Sequence, residues 1–188
     1  MSLMSQIKVL TDEDVDAITY LYANSCKYVD YFQRMFGVTD CTQCIYKDFR
    51  PDVAAAVRQG RCLGIYNKGV LIGIILAIDW FAYKEDHPVL YNHMFNKDNP
   101  ITDILERYAN QFSDNVTFIF AIGITDGNRC QGFGRKLLRN FIKRFGRKGV
   151  IFSDCLYESA QSLWLKEGFH IVDLTEGDND IKVITRLK

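Results

Sequence analysis

Residues 116–138, VTFIFAIGITDGNRCQGFGRKLL, contain the pattern that decides the fold. Val116–Ile124 is a nearly unbroken apolar run, which predicts a central strand buried on both faces. Turn-forming residues follow it. From Phe133 onward apolar residues recur at helical spacing and predict an amphipathic helix that ends at Gly146. The segment therefore predicts a strand, a loop and a helix in direct succession.

The loop has the composition of an anion-binding site. It reads Arg129-Cys130-Gln131-Gly132-Phe133-Gly134. A helix N-terminus offers backbone N–H groups and the positive end of the helix dipole. Glycines at positions 132 and 134 let the backbone approach a phosphate closely. Arg129 is expected to add a charge-assisted hydrogen bond, so the loop predicts a pyrophosphate site.

Basic residues cluster around the predicted helix. Residues 129–148 contain eight Lys or Arg side chains and no acid, in a chain whose formal net charge is zero. This local excess would attract a ligand with several phosphates. The balanced total argues against a general nucleic-acid-binding protein. The same cations also suit a solvated helix face, where those from Lys143 onward complement the helix dipole.

Two other phosphate loops do not fit these residues. In the Walker pattern Lys and then Ser or Thr follow the last glycine directly, but Lys136 lies two residues beyond Gly134 and Leu137 comes next. The dinucleotide fingerprint Gly-x-Gly-x-x-Gly fails because its third glycine position is Leu137. A phosphate-loop domain that binds another nucleotide stays open as an alternative.

Residues 118–138 resemble the acetyl-CoA-binding motif of the GNAT superfamily of N-acetyltransferases, a buried strand followed by Arg/Gln-x-x-Gly-x-Gly/Ala and a helix. A second family motif is matched by residues 150–169, with Ala160, Leu163 and Gly168-Phe169 in place. The resemblance implies an α/β (α+β) fold with a mixed, mostly antiparallel central sheet of six to seven strands flanked by helices. Two central parallel strands would splay and form the acyl-CoA cleft.

The resemblance also implies a function. Acetyl-CoA would be the co-substrate, without a metal, and its acetyl group would pass directly to a primary amine of a small-molecule or peptide acceptor. The loop would bind the pyrophosphate, and the end of the strand would pair with the pantetheine arm. The implied cofactor-binding residues are Ile122, Gly123, Ile124, Arg129, Cys130, Gln131, Gly132, Phe133, Gly134, Arg135, Tyr157 and Trp164.

Two positions depart from the family pattern. Trp164 stands where many members have the Tyr that protonates the departing thiolate, and indole is no acid near neutral pH. Tyr157, where the family often has Asn, is the candidate to supply the missing hydroxyl. Its alternative role is to pack against the cofactor. The Trp164 replacement keeps open an acyl-CoA-binding sensor or a catalytically degenerate protein.

No motif marks the base that deprotonates the acceptor ammonium. Asp154, on the strand that would splay, is the first candidate, and Asp79, at the end of the third strand, is the second. Both equally suit solvated acids at strand ends. Further candidates are Glu85, Asp86, His87 and His93.

Residues 80–112 form an insertion between a hairpin and the central strand. Residues 83–100 mix aromatic, acidic, His, Asn and Pro residues, which predicts irregular structure around the acceptor pocket. The candidate pocket walls are Trp80, Phe81, Tyr83 and Tyr91. Aromatic residues equally suit a packed loop or a subunit contact, so a homodimer is a second expectation.

The rest of the chain predicts flanking elements. Thr11 and the acidic residues after it predict a helix start, and Pro51 predicts the start of a further helix that stops at Gly60. Asn67-Lys68-Gly69 predicts a hairpin turn, because Asn and Gly tolerate the positive φ angles that a tight turn needs.

Bulk properties set the remaining expectations. The length of 188 residues predicts one domain, 1–188, with residues 1–5 as a disordered or vector-derived leader. No apolar run is long enough for a membrane span and no signal peptide is recognisable, so a cytoplasmic location is expected. Cys41 and Cys44 have metal-ligand spacing but lack further ligands, so free thiols at a helix start are expected.

Overall fold

The computed structural model describes residues 5–27, 29–95, 102–112, 115–146, 149–155, 158–174 and 182–186. The strands are β1 (Gln6–Val9), β2 (Leu63–Asn67), β3 (Val70–Asp79), β4 (Val116–Ile124), β5 (Val150–Cys155), β6 (His170–Leu174) and β7 (Lys182–Arg186). The helices are α1 (Val15–Cys26), α2 (Asp30–Phe36), α3 (Thr42–Arg58), α4 (Trp80–Asp86), α5 (Pro88–Met94), α6 (Thr102–Ala109), α7 (Phe133–Phe145) and α8 (Glu158–Lys166). Within these ranges no helix is long and apolar enough to cross a bilayer.

The strands form a seven-stranded sheet in the order β1-β2-β3-β4-β5-β7-β6. The pairs β1–β2, β2–β3, β5–β7 and β6–β7 are antiparallel. Strands β4 and β5 are parallel, in a register that runs from Val116↔Val150 to Ile119↔Ser153. The predicted mixed, mostly antiparallel sheet flanked by helices is confirmed.

Two compact units divide the chain. The first comprises Met1–Leu76 and Ala121–Asn140, and the second comprises Ala77–Phe120 and Phe141–Lys188. The boundary therefore falls inside β3, β4 and α7. A single domain over the whole chain stays a prediction.

The first unit builds its core from facing sides of α1 and α3. Ile18 of α1 and Ile45 and Val53 of α3 have no exposed surface. Phe49 of α3 packs edge-on against Tyr22 of α1, with ring centroids 5.9 Å apart. Each fully buried side chain of this size contributes about 1.5–3 kcal/mol, so these contacts fix α1 in place.

Helix α3 corrects the prediction that a helix begins at Pro51. The carboxylate of Asp40 accepts hydrogen bonds from the Thr42 backbone N–H at 2.9 Å and from its hydroxyl at 2.6 Å, which starts the helix at Thr42. These bonds lower the pKa of Asp40 from its ordinary value. Ile45 and Val53 lie on the buried side before and after Pro51. Packing therefore outweighs the hydrogen bond that proline cannot donate.

The hairpin between β2 and β3 is confirmed, with a change at its turn. Lys68 and Gly69 have positive φ angles of 51° and 81°, as a two-residue hairpin turn requires. Asn67 ends β2 and pairs with Val70, so the first positive φ of the turn falls on Lys68.

The core of the second unit is aromatic. Trp80 lies in ring contact with Tyr91, Phe95, Phe118 and Phe152, at centroid separations between 4.7 and 5.7 Å. Tilted and edge-on aromatic pairs contribute about 0.5–1.5 kcal/mol each beyond their area burial. The cluster therefore packs α4 and the end of α5 against β4 and β5.

Irregular structure is a wrong prediction for residues 83–95. Most of them belong to α4 and α5, while residues 96–100 lie outside the described part of the chain. Asp79 caps α4 by accepting a hydrogen bond from the Ala82 N–H at 3.2 Å. Pro88 is the first residue of α5, a position where a helix does not use the N–H that proline lacks.

Candidate functional site

The second half of β4 is more accessible than a central strand normally is. Its first four residues are buried, whereas Ile122 and Ile124 are half-buried and Gly123 between them is buried. The prediction that all of β4 is covered on both faces is therefore wrong for its second half. Ile122 and Ile124 therefore leave part of their apolar surface uncovered, next to the loop that follows the strand.

The loop after β4 is anchored at its base. The backbone N–H of Thr125 donates to the carbonyl of Ile72 at 2.9 Å. The side-chain amide of Asn128 donates to Thr125 Oγ1 at 2.9 Å. A 3-10 turn at Asp126–Asn128 then redirects the chain. These bonds fix the direction in which residues 129–134 leave the strand.

Arg129 is oriented by the loop itself. Its Nε donates to the carbonyl of Ile124 at 3.1 Å, and its Nη2 lies 3.0 Å from Oδ1 of Asp126. The guanidinium therefore closes the loop onto the strand end, and a carboxylate offsets part of its charge. The expected contact between Arg129 and a phosphate stays a prediction.

The end of the loop has the backbone form of an anion nest. Cys130 has a φ of 59° and Gly132 a φ of 81°, and α7 begins at Phe133. The Lys136 N–H donates to the Gly132 carbonyl at 2.9 Å. The N–H groups of Phe133 and Gly134 precede this first bond of the helix and point out of its open end. N–H groups in such a turn converge on an anion.

The approach to this nest is open. A Cβ placed on Gly132 would meet no atom within 4 Å, and Cys130, Gln131 and Gly132 are all exposed. The side-chain amide of Gln131 turns back and donates to the carbonyl of Gly127 at 3.0 Å. The predicted pyrophosphate-binding residues are thus brought together on one accessible turn.

Cations surround the start of α7. Arg135 and Lys136 are exposed. The ammonium of Lys136 donates to Oγ of Ser5 at 2.7 Å and to its carbonyl at 3.2 Å, so it also ties residue 5 to the helix. Lys143 and Arg144 lie in the last turn, where they complement the negative end of the dipole.

Sequence reasoning missed Ser25, which lies against the accessible half of β4. A Cβ placed on Gly123 would be 2.6 Å from Oγ of Ser25 and 3.2 Å from Cδ2 of Leu21. A Cβ placed on Gly73 of β3 would be 3.0 Å from the Gly123 carbonyl oxygen and would overlap Ile124. A side chain at either position would therefore have to displace its neighbours. Leu21 and Ser25 share one face of α1, but no local pattern indicates that this face meets β4.

Asp154, the first candidate base, has a desolvated carboxyl group. It follows Ser153, whose hydroxyl donates to the Ile119 carbonyl of β4 at 2.7 Å. Its side chain is half-buried, and burial raises the pKa of Asp154 to about 6. A carboxyl with such a pKa suits a general base. That role stays a prediction.

Asp79, the second candidate base, has a structural task. It ends β3, and its carboxylate accepts the hydrogen bond from Ala82 that starts α4. An acid is a preferred N-cap, so this contact explains Asp79 without chemistry. Its assignment as a base also stays a prediction.

Trp164 belongs to the core of the second unit. It is 2% exposed, and its ring centroid lies 4.8 Å from that of Phe169 in an edge-on contact. Gly168 between them adopts a φ of 84°, which turns the chain so that the Phe169 N–H reaches the Trp164 carbonyl at 3.2 Å. A buried indole offers little area to a ligand, and the expected contact between Trp164 and the cofactor stays a prediction. Tyr157 lies outside the described residues.

The predicted walls of the acceptor pocket are interior residues. Trp80, Tyr83 and Tyr91 are at most 2% exposed, and the hydroxyl of Tyr91 donates to Oε1 of Glu106 at 2.6 Å. That prediction is wrong for these three residues because they fill the aromatic core. Phe81 is half-buried.

The paired cysteines at the start of α3 are free thiols, as predicted. Cys41 is buried, Cys44 is half-buried, and neither forms a disulfide. Burial raises the pKa of the Cys41 thiol. Across the described ranges, His, Cys, Asp and Glu side chains form no group of three or more that would hold a metal ion.

Solved structures of N-acetyltransferases share this fold over nearly their whole length. Mosquito arylalkylamine N-acetyltransferase-like 5b superposes with a TM-score of 0.69 at 15% identity, covering 98% of this chain and 100% of that one. PaiA N-acetyltransferase from Thermoplasma acidophilum, in complex with coenzyme A, gives 0.64 at 13% identity, covering 97% and 98%. Drosophila melanogaster polyamine N-acetyltransferase gives 0.65 at 14% identity, covering 97% and 98%. No family model and no curated protein sequence matches the chain.

Proposed function

Because this chain has the fold of the GNAT N-acetyltransferases, we propose that it transfers an acetyl group from acetyl-CoA to a primary amine. The observation that carries the proposal is the open nest at residues 130–134, which a short loop joins to the accessible half of β4. Coenzyme A carries both groups that such a surface would bind. Its pyrophosphate needs converging donors, and its pantetheine amides need a strand with which to pair.

In the proposed binding mode, the start of α7 binds the pyrophosphate and the end of β4 binds the pantetheine arm. The N–H groups of Phe133 and Gly134 donate to the pyrophosphate, and Arg135 adds positive charge beside it. Ile122, Gly123 and Ile124 lie beside the pantetheine arm and exclude water from it. The thioester at the end of that arm then lies on the Ile122 side of these three residues, several residues before the nest.

The transfer is a direct substitution at the thioester carbonyl. The amine nitrogen attacks the carbonyl carbon, the carbon–sulfur bond breaks, and CoA leaves as a thiolate that takes up a proton. A base must first remove a proton from the ammonium form of the acceptor. Asp154 is our first assignment for that base because it lies on β5, the strand next to β4, and burial raises the pKa of its carboxyl to about 6. Asp79 is the second, and Tyr157 is the proposed acid for the thiolate.

Cofactor binding is tested at Gly132, with Gly127 as the matched control. Both glycines have open space around a Cβ, but only Gly132 has a positive φ. Gly132→Ala should weaken CoA binding at least about tenfold, since a lost hydrogen bond to a charged group costs roughly 1.5–3 kcal/mol. Gly127→Ala should bind normally in isothermal titration. Equal affinities in the two variants, or ATP or NAD binding more tightly than CoA, would argue for a different ligand.

Transfer is tested by release of free CoA thiol with a panel of amines. Agmatine, spermidine and tryptamine represent the acceptor types named for the similar structures. The parent chain should release CoA faster with at least one amine than without any.

An acyl-CoA sensor is the second candidate function. The observation in its favour is that Trp164, at the position of the family's acid, is a buried packing residue. A sensor would bind acetyl-CoA tightly and release no thiol with any amine of the panel. The two readouts together therefore separate an enzyme from a sensor.

A further inference from the structure

Helix α1 places a hydroxyl group directly against β4. A Cβ on Gly123 would lie 2.6 Å from the Ser25 Oγ and 3.3 Å from its Cβ. The hydroxyl therefore occupies the space that a side chain at position 123 would fill. Gly123 has no side chain of its own. Of the three atoms nearest to a Cβ placed there, only the Ser25 Oγ is polar.

The hydroxyl of Ser25 donates one hydrogen bond, and its oxygen can still accept another. It donates to the Leu21 carbonyl of its own helix at 2.9 Å. A hydroxyl oxygen carries two acceptor lone pairs, and the donor bond to Leu21 fixes the side-chain rotamer. Ser25 as a whole is half-buried.

We infer that Ser25 positions the acceptor amine by accepting a hydrogen bond from its nitrogen. The inference rests on the proposed function, in which the thioester lies beside Ile122–Ile124. An amine that attacks there must come close to Gly123, and the Ser25 oxygen lies next to that residue. A hydrogen bond from the amine to this oxygen holds the acceptor at this point of the strand in the ground state and the transition state alike, so it contributes to acceptor binding.

The test compares Ser25→Ala with Thr19→Val. Thr19, on the same helix, is buried and donates to the Val15 carbonyl at 2.7 Å. Both changes remove a side-chain hydrogen bond to the carbonyl four residues earlier, but only Ser25 lies against Gly123. Any effect through the helix alone should therefore appear in both variants.

Ser25→Ala should raise the KM for the most active amine of the panel about tenfold, the loss expected for one hydrogen bond to a charged group. Its kcat and its affinity for acetyl-CoA should stay within about twofold of the parent, and Ser25→Thr should restore most of the KM. The pH dependence of kcat/KM should keep its shape because Ser25 does not titrate.

An unchanged KM in Ser25→Ala, or an equal rise in Thr19→Val, would overturn the inference while leaving the proposed function intact. A parent chain that binds acetyl-CoA but turns over no amine would instead overturn the proposed function, and the assignment of Ser25 with it.

Discussion

At the scale of single residues, Asp154 differs from the chain's paired acids in what changes its pKa. Asp14 and Asp16 accept hydrogen bonds from neighbouring side chains, and their pKa values are lowered. Asp154 is desolvated instead, and its pKa rises from 3.8 to about 6. At neutral pH the ionised, desolvated Asp154 therefore lowers the free energy of unfolding of the chain.

Asp154→Asn should stabilise the chain at neutral pH. Folding raises the pKa of Asp154 from 3.8 to about 6. Below about pH 4 the carboxyl is protonated in both states and costs no stability. As the pH rises from there through about 6, the carboxyl ionises and the folded state loses stability relative to the unfolded state. The advantage of the Asn variant should therefore grow from near zero at pH 4 to on the order of 2–3 kcal/mol at pH 7.5. Urea unfolding at both pH values measures this. An advantage that does not change with pH would mean that Asp154 is not desolvated.

At the scale of elements, local patterns predicted some helices and missed others. The strand, loop and helix at residues 116–145 were predicted because their periods and glycines are all local. In the insertion, Trp80, Tyr83, His87, Tyr91 and Phe95 recur every three or four residues, which is a helical signal. The signal was missed because a proline normally interrupts a helix, whereas Pro88 is the first residue of a second helix.

The cap of α4 separates structure from catalysis at Asp79. Asp79→Ala should lower the free energy of unfolding by about 1 kcal/mol, and Asp79→Asn should keep most of it, because Asn caps as well as Asp does. If capping is its only task, Asp79→Asn should also retain the parent kcat/KM. A variant that folds like the parent but loses transfer would instead identify Asp79 as a base. Urea unfolding and the CoA-release assay give the two readouts.

The Ser25 contact shows why part of the site was beyond sequence reasoning. The nest consists of consecutive residues, so the sequence alone was enough to predict it. Ser25 and Gly123 are far apart in the chain, and a serine in a helix carries no motif. Their meeting depends on how α1 packs in the first unit, which only the folded chain specifies. Trp164 was recognised as a departure, but its burial was not foreseen.

At the scale of the whole molecule, the binding mode predicts where a ligand changes the dynamics. Hydrogen exchange with saturating CoA should slow for amides of residues 120–136 and stay unchanged for residues 80–95, which form the aromatic core. The reason is that a ligand protects the groups to which it bonds and the local openings that expose them. AMP at the same concentration is the control for the nucleotide part. Protection that centres on residues 80–95 would contradict the proposed mode.

The strand order determines where a second copy of the chain could pair with the sheet. Strands β1 and β6 lie at the two edges, where unpaired backbone groups invite pairing with a second molecule. Strand β1 has only four residues and carries Lys8. Strand β6 exposes Ile171 and Val172, but its register shifts between Ile171 and Asp173, and such a bulge twists an edge away from a flat partner. Short length protects one edge against aggregation, and an interrupted ladder protects the other.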